Sequence, residues 1–380
     1  MSRSKLLVFF ALILLMSVPA GIAQAQDATV LGSGTAIISD GEAAGDTITY
    51  AMTDVTPPAD GMVYVGWLVS DDGSVKLNTG VLTVGNDGSV SSVFMSPDGE
   101  NFINTYNKVV ITSEEEEGAA DATEPAGAAV FSHEVPIGAI THIRHLLVAW
   151  PADADKGILM NRKGQLAVAI THANLARNSD TLENVLLHTH HVINIIEGVN
   201  GDNFDDSFGN PGDGIGVLAH AGDRQHASFA AGEASDDTVI AEHAALVETY
   251  GANAEIWAAD ARDAALDILG ISSVTIAKTL LSTTVTGPLD AALNGIDATG
   301  AGGANAAYVE GQMMAIYTLA PGAPSAGPGQ TGGSGPGIGL PGVGDPAIPM
   351  LAQMGLIAAM VFLGAGGIVL LRGRRSRANS

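Results

Sequence analysis

The spacing of apolar residues changes once along this chain, near residue 137, and that change limits the fold more than any motif does. Before it, apolar residues alternate or form short β-branched runs at 47–50, 62–69, 80–84, 90–95, 108–112 and 128–131. Turn residues stand between the runs: Pro57-Pro58, Asp71-Asp72-Gly73, Asn86-Asp87-Gly88 and Pro97-Asp98-Gly99. Strand side chains alternate between two faces, so period two broken by Asp-Gly pairs predicts hairpins. Several short strands at this spacing predict an Ig-like β-sandwich over residues 26–137. After residue 137 the apolar positions recur every three or four residues, at 140–150, 162–176, 181–197, 215–231, 237–250 and 253–269. That period lays one stripe along a helix, and Asn, Ser, Asp or Thr stand near the starts, as N-caps do. The expectation is a multi-domain chain, β then α, with an all-α helical bundle over 138–319. Residues 274–281 and 304–317 keep helical spacing, interrupted by Gly287-Pro288 and by glycines between 300 and 303.

The two ends read differently from the middle. Residues 1–25 have Arg3 and Lys5, an apolar run, then Ala23-Gln24-Ala25, the order of a secretory signal peptide. Residues 320–349 are almost all Gly, Pro, Ser and Ala, which reads as a stalk. Residues 350–371 are apolar apart from Gln353, the length of one C-terminal transmembrane helix. Arg372, Arg374, Arg375 and Arg377 follow, so the positive-inside rule makes 372–380 a cytoplasmic basic tail. On this reading the protein sits in the cell membrane as a single-pass chain, with its main domains extracellular and the membrane as a partner through 350–371. Leu340-Pro341-Gly342-Val343-Gly344 resembles a degenerate LPxTG-type sorting signal, with Val343 where that signal has Thr. The resemblance implies attachment to a cell wall.

Composition excludes whole classes. The 380 residues contain no cysteine, which removes disulfides, thiolate metal sites, iron–sulfur clusters and cysteine nucleophiles. There are 41 acidic and 16 basic residues, a formal net charge of −25, which argues against a nucleic-acid partner. Gly-x-Ser-x-Gly, a phosphate-cradling Gly-Lys loop and a dinucleotide fingerprint are all missing.

Tyr64-x-x-Trp67-Leu68-Val69, Gly80-x-Leu82, Asp87-Gly88, Val109-Val110-Ile111-Thr112-x-Glu114 and Glu124-Pro125-Ala126-Gly127 resemble the extracellular C-terminal domain of anti-sigma-K factors. The likeness covers roughly residues 28–136. It implies a β-sandwich outside the cell and brings no catalytic residues. The family's cytoplasmic sigma-binding segment is replaced here by the leader-like residues 1–25.

Nine of the ten histidines lie between His142 and His243. His142 and His145 are three apart on one expected helix, and so are His188 and His191 on another. His190, Asn194 and Glu197 share a further stripe. His172, His220, His226 and His243 are spread over other helices. Neutral imidazole is a common transition-metal ligand, and helix pairs at this spacing build metal and haem sites. The other readings are interface histidines hydrogen-bonded between helices, and a pH sensor. The metal candidates are His142, His145, His188 and His191, meeting across two helices.

A second candidate is the loop from Gly201 to Gly214, with Asp202, Asp205, Asp206 and Asp213. Closely spaced carboxylates suit Ca²⁺, although EF-hand spacing is absent. The alternative is a solvated turn in which Asp213 caps the next helix. Glu114 to Glu117 reads as a solvated charge run, or as a cation site.

The expectation for function is a membrane-anchored bacterial surface protein, not an enzyme, with a binding, sensing or envelope role and another envelope protein as partner. The alternative is an extracytoplasmic metal- or haem-binding protein using the helix-borne histidines, with redox or hydrolytic activity.

Overall fold

The computed structural model describes residues 30–150 and 156–321. The signal-peptide reading of 1–25, the sorting-signal resemblance, the apolar span 350–371 and the basic tail lie outside these residues, as does the stalk from residue 322 onward.

Eight strands form one antiparallel sheet: β1 (Ser33–Ser39), β2 (Thr47–Thr53), β3 (Met62–Ser70), β4 (Lys76–Leu82), β5 (Val90–Met95), β6 (Tyr106–Glu115), β7 (Ala128–Glu134) and β8 (Ile316–Pro321). Their order is β4-β3-β6-β7-β8-β1-β2-β5. The two end strands, β4 and β5, approach each other, so the sheet nearly closes into a barrel. Inside it the Tyr50 hydroxyl meets Thr79 Oγ1 at 2.8 Å, tying β2 to β4 across the interior. Closure removes sheet edges, and the inward residues Ile38, Ile48, Tyr50, Leu68, Ile111 and Phe131 are almost fully buried.

This corrects the expected sandwich followed by a separate bundle. The strand between β7 and β1 is β8, which follows every helix in the sequence. The chain leaves the sheet after β7, builds the helices and returns to complete the sheet. β8 pairs with β1 over four residues, Gly34–Ile37 against Ile316–Leu319, and with β7 over two. A side chain extends the short β7 pairing, because the Thr318 N–H donates to His133 Nδ1 at 2.7 Å. Residues 304–317, expected as one helix, divide into a helix ending at Met313 and this strand. Ala320 and Pro321 belong to the strand and not to a stalk.

Nine α-helices are present among the described residues: α1 (Phe102–Thr105), α2 (Ile137–Leu147), α3 (Ile158–Asn178), α4 (Leu182–Glu197), α5 (Gly222–Glu233), α6 (Thr238–Ile268), α7 (Val274–Leu280), α8 (Thr286–Asn294) and α9 (Ala304–Met313). None of them is long and apolar enough to cross a membrane. The expectation of a transmembrane, single-pass protein is corrected for the described residues, whose helices pack on the sheet and on each other.

The long α6 replaces two expected helices. Its buried stripe, Ile240, Ala244, Val247, Gly251, Ala254, Ala258, Ala261, Ala265 and Ile268, runs unbroken through Gly251. Glycine inside a helix costs about 1 kcal/mol relative to alanine, and here it leaves room for a charged pair described below. Between α7 and α8 a π-turn at Leu281–Val285 widens the helix just before Pro288, which has no N–H to donate.

One apolar core spans the sheet interior, α2, and parts of α5, α6 and α9, including Ile140, Ile143, Leu147, Ala227, Val247 and Tyr308. A second holds α3, α4, α6 and α8 together through Ala169, Ala173, Val192, Ile196, Ala258 and Leu289. Small residues dominate the α3 and α6 faces, which lets the helices approach closely.

Glu114 also departs from expectation. It is buried and accepts hydrogen bonds from Thr112 Oγ1 at 2.5 Å and the Gly127 N–H at 2.7 Å, while Glu115, Glu116 and Glu117 are exposed. Thr112 in turn accepts from Trp67 Nε1 at 2.9 Å, so this carboxylate anchors the outer face of β3 and β6.

Candidate metal centres

Each helix that carries a His-x-x-His pair sets it on the flank of its buried stripe. In α2 the buried residues are Ala139, Ile140, Ile143, Leu146 and Leu147, and His142 and His145 sit beside them, half-buried. In α4 the stripe is Val185, Thr189, Val192, Ile193 and Ile196, with His188 and His191 alongside. Three residues advance a helix by nearly one turn, so the two rings of a pair point the same way.

The two pairs do not meet each other. Each meets a third histidine from a neighbouring helix instead. His226 of α5 joins His142 and His145, and His172 of α3 joins His188 and His191. Within each triad one potential ligand atom per ring lies within 4.8 Å of the others, and these are the two such clusters among the described residues.

In the first triad His226 Nδ1 is 2.9 Å from His142 Nδ1 and 3.3 Å from His145 Nδ1. In the second, His172 Nδ1 is 3.2 Å from His188 Nδ1 and 3.1 Å from His191 Nδ1. A tetrahedral ion with metal–nitrogen bonds of 2.0–2.1 Å separates its ligands by about 3.3–3.4 Å. Both triads therefore have close to the spacing that one small cation requires.

The surroundings differ. The first triad is walled by aromatic rings: Trp150 lies 4.9 Å from His226 and 5.9 Å from His145, and Phe229 lies 5.1 Å from His142, centroid to centroid. The second is bordered by the 201–214 loop. His191 Nε2 is 2.8 Å from the Phe208 carbonyl oxygen, and the His190 ring stacks on the Phe208 ring at 3.6 Å.

Burial and then crowding favour the neutral form of His145, His172, His188 and His226. Burial, and then the proximity of His191 and His188, pushes His172 down to about 4. Burial, and then His145 and His142, pushes His226 down to about 4. His145 is lowered by burial and by His142, and His188 by burial and by His191. Neutral imidazoles with converging lone pairs are the form that binds metal.

The loop carboxylates do not converge. Asp202 and Asp206 are exposed. Asp205 accepts from the Ser207 N–H at 3.0 Å and Ser207 Oγ at 2.6 Å, and this holds its carboxyl below the usual range. Asp213 accepts from the Ile215 N–H at 2.8 Å and the Gly216 N–H at 3.3 Å. These four form no ligand cluster among the described residues, and Asp205 and Asp213 each commit Oδ1 to a local turn.

The third histidines of the triads, His172 and His226, were legible only as histidines on other helices. A local signal exists: each is followed by small residues one and four places on, Ala173 and Ala176, and Ala227 and Ala230, all buried. That places both histidines at the rim of a tight helix contact. His243 pairs separately with Glu310 at 2.6 Å, and His133 lies on β7.

Searches for relatives place nothing beside this chain: no family model, no curated protein and no solved structure matches it.

Proposed function

We propose that this is a metal-binding protein with two separate three-histidine centres, one between α2 and α5 and one between α3 and α4. The observation that carries this reading is the convergence of each triad, in which the Nδ1 of His226 or His172 lies 2.9–3.3 Å from the Nδ1 of both partner rings and all three rings offer a ligand atom within 4.8 Å of one another. The same three-part arrangement, a His-x-x-His pair and one histidine from a packed neighbour, occurs at two places in one chain. An all-imidazole set suits Zn²⁺ and Cu²⁺, with Cu²⁺ favoured by intrinsic affinity. Three protein ligands leave a fourth position, and the triads are only partly buried, so that position faces exchangeable water or a small ligand. The strongly acidic chain raises the local concentration of cations.

A bare ion is favoured over haem. Two axial ligands flank an iron from opposite sides, about 4 Å apart at bonds of about 2 Å, with the macrocycle between them. The 2.9–3.3 Å between His226 or His172 and each of its partners leaves no such slot between them.

Titration of the purified, metal-free protein with Zn²⁺ and with Cu²⁺ tests the reading. Two equivalents are expected, one after His226→Ala or His172→Ala, and none after both. Absence of binding by the unaltered protein at micromolar metal would overturn it.

A further inference from the structure

The stripe of His190, Asn194 and Glu197 on α4 has so far no role, and the structure assigns it one at the second centre. Glu197 receives the Asn203 N–H and Asn203 Nδ2, both at 2.7 Å, and is held from behind by Arg262 of α6. Asn194 is fully buried. Its Nδ2 donates to the carbonyls of Asp205 at 2.8 Å and Gly209 at 2.7 Å, and its Oδ1 accepts from the Asp205 N–H at 2.9 Å. One side chain thus clamps both ends of the short 3₁₀ turn Asp206–Phe208. The carbonyl held between those ends is that of Phe208, 2.8 Å from His191 Nε2.

A carbonyl oxygen can only accept. His191 Nε2 must therefore carry the ring proton, and a neutral imidazole with its proton on Nε2 has its lone pair on Nδ1. That atom faces His172 Nδ1 in the triad. We infer that Asn194 is a positioning residue for the second centre: by bracketing the 205–209 turn it sets the Phe208 carbonyl that fixes His191 as an Nδ1 ligand. The inference rests on the metal reading above and deepens it. Without the clamp, His191 is free to place its proton on Nδ1, and each metal-binding event must first move that proton. Hydrogen-bond partners of ligating histidines typically change metal affinity by about 10–100-fold.

The test uses the full chain carrying His226→Ala, so that the second centre alone is read. Two measurements are made: ¹⁵N NMR of the metal-free protein at about pH 8, above the ordinary histidine pKa of about 6.5, and zinc affinity against a competing chelator. In the parent, His191 is expected as the Nε2–H tautomer. Asn194→Ala should give a tautomer mixture and about 10–100-fold weaker zinc binding. Unchanged tautomer and affinity in Asn194→Ala would overturn the inference. An Nδ1–H tautomer in the parent would overturn it without any further variant, which decides the matter even if Asn194→Ala does not fold. A parent that shows the Nε2–H tautomer but binds no zinc would overturn the centre itself and leave the positioning intact.

Discussion

Arg162 of α3 and Asp223 of α5 form an ion pair with almost no solvent exposure on either side chain. The same two helices carry His172 and His226, the third histidine of each triad. Arg162 Nη1 also donates to the Gly251 carbonyl of α6 at 3.2 Å. A methyl group at position 251 would overlap Asp223 Oδ2, which explains why α6 carries glycine on its packed face.

Removing one member of this pair strands a buried charge. Arg162→Met or Asp223→Asn should each cost about 3–5 kcal/mol. Gly251→Ala should also destabilise, by forcing α6 away from Asp223. The double change Arg162→Met/Asp223→Leu should recover most of the loss. Urea unfolding of the four variants checks this, and single changes within about 0.5 kcal/mol of the parent would show that the pair is not sealed from water.

Acid should weaken both the fold and the metal centres. His172 and His226 lie at about 4 in the folded protein, against about 6.5 in the unfolded chain. Between those values the unfolded state binds more protons, so stability rises with pH. The contribution is complete above about pH 6.5 and declines as pH falls towards 4. A melting temperature of the metal-free protein that stays flat over that range would contradict the crowding of the two triads. Metal should also dissociate there, because protons compete for the same lone pairs.

Zinc should raise the melting temperature in two increments. Free zinc at about 100 times the dissociation constant adds about 2.7 kcal/mol per site. His172→Ala should halve the increase, and His172→Ala/His226→Ala should abolish it. Calorimetric scans with and without zinc provide the measurement, and a full response in the double variant would place the metal elsewhere.

The returning strand should matter as much as any central one. Leu319 is fully buried in the sheet interior, so Leu319→Ala should cost about 2–5 kcal/mol. Ending the chain after Ala315 should strip β7 and β1 of the strand that joins them and remove cooperative unfolding of the sheet. An unchanged denaturation curve for that truncation would mean the sheet closes without β8.

Much of the local structure was legible in the sequence because its causes are local. Six of the eight strands follow from alternation and Asp-Gly turns, and α2 to α5 from three-to-four spacing and caps. The missed elements have non-local causes. β1 is the exception, because Ala36-Ile37-Ile38 followed by Asp40-Gly41 is a local strand signal of the same kind as the others. β8 follows a helix directly and has only six residues, so its period could not be told from a continued helix. α6 was divided at Gly251, because the reason for that glycine, Asp223, is on another helix.

The candidate centres divide in the same way. The sequence alone determined that metal chemistry here, without cysteine, would fall to histidine, and it put two His-x-x-His pairs on helices, since helical spacing is a property of consecutive residues. Tertiary structure decided that the pairs face two different partners rather than each other. Which rings meet depends on which helices pack together, and that is set by the small-residue faces of α3 and α6, the buried Arg162–Asp223 pair and the return of β8. Each of these joins residues distant in the chain, and no spacing along the sequence encodes their meeting.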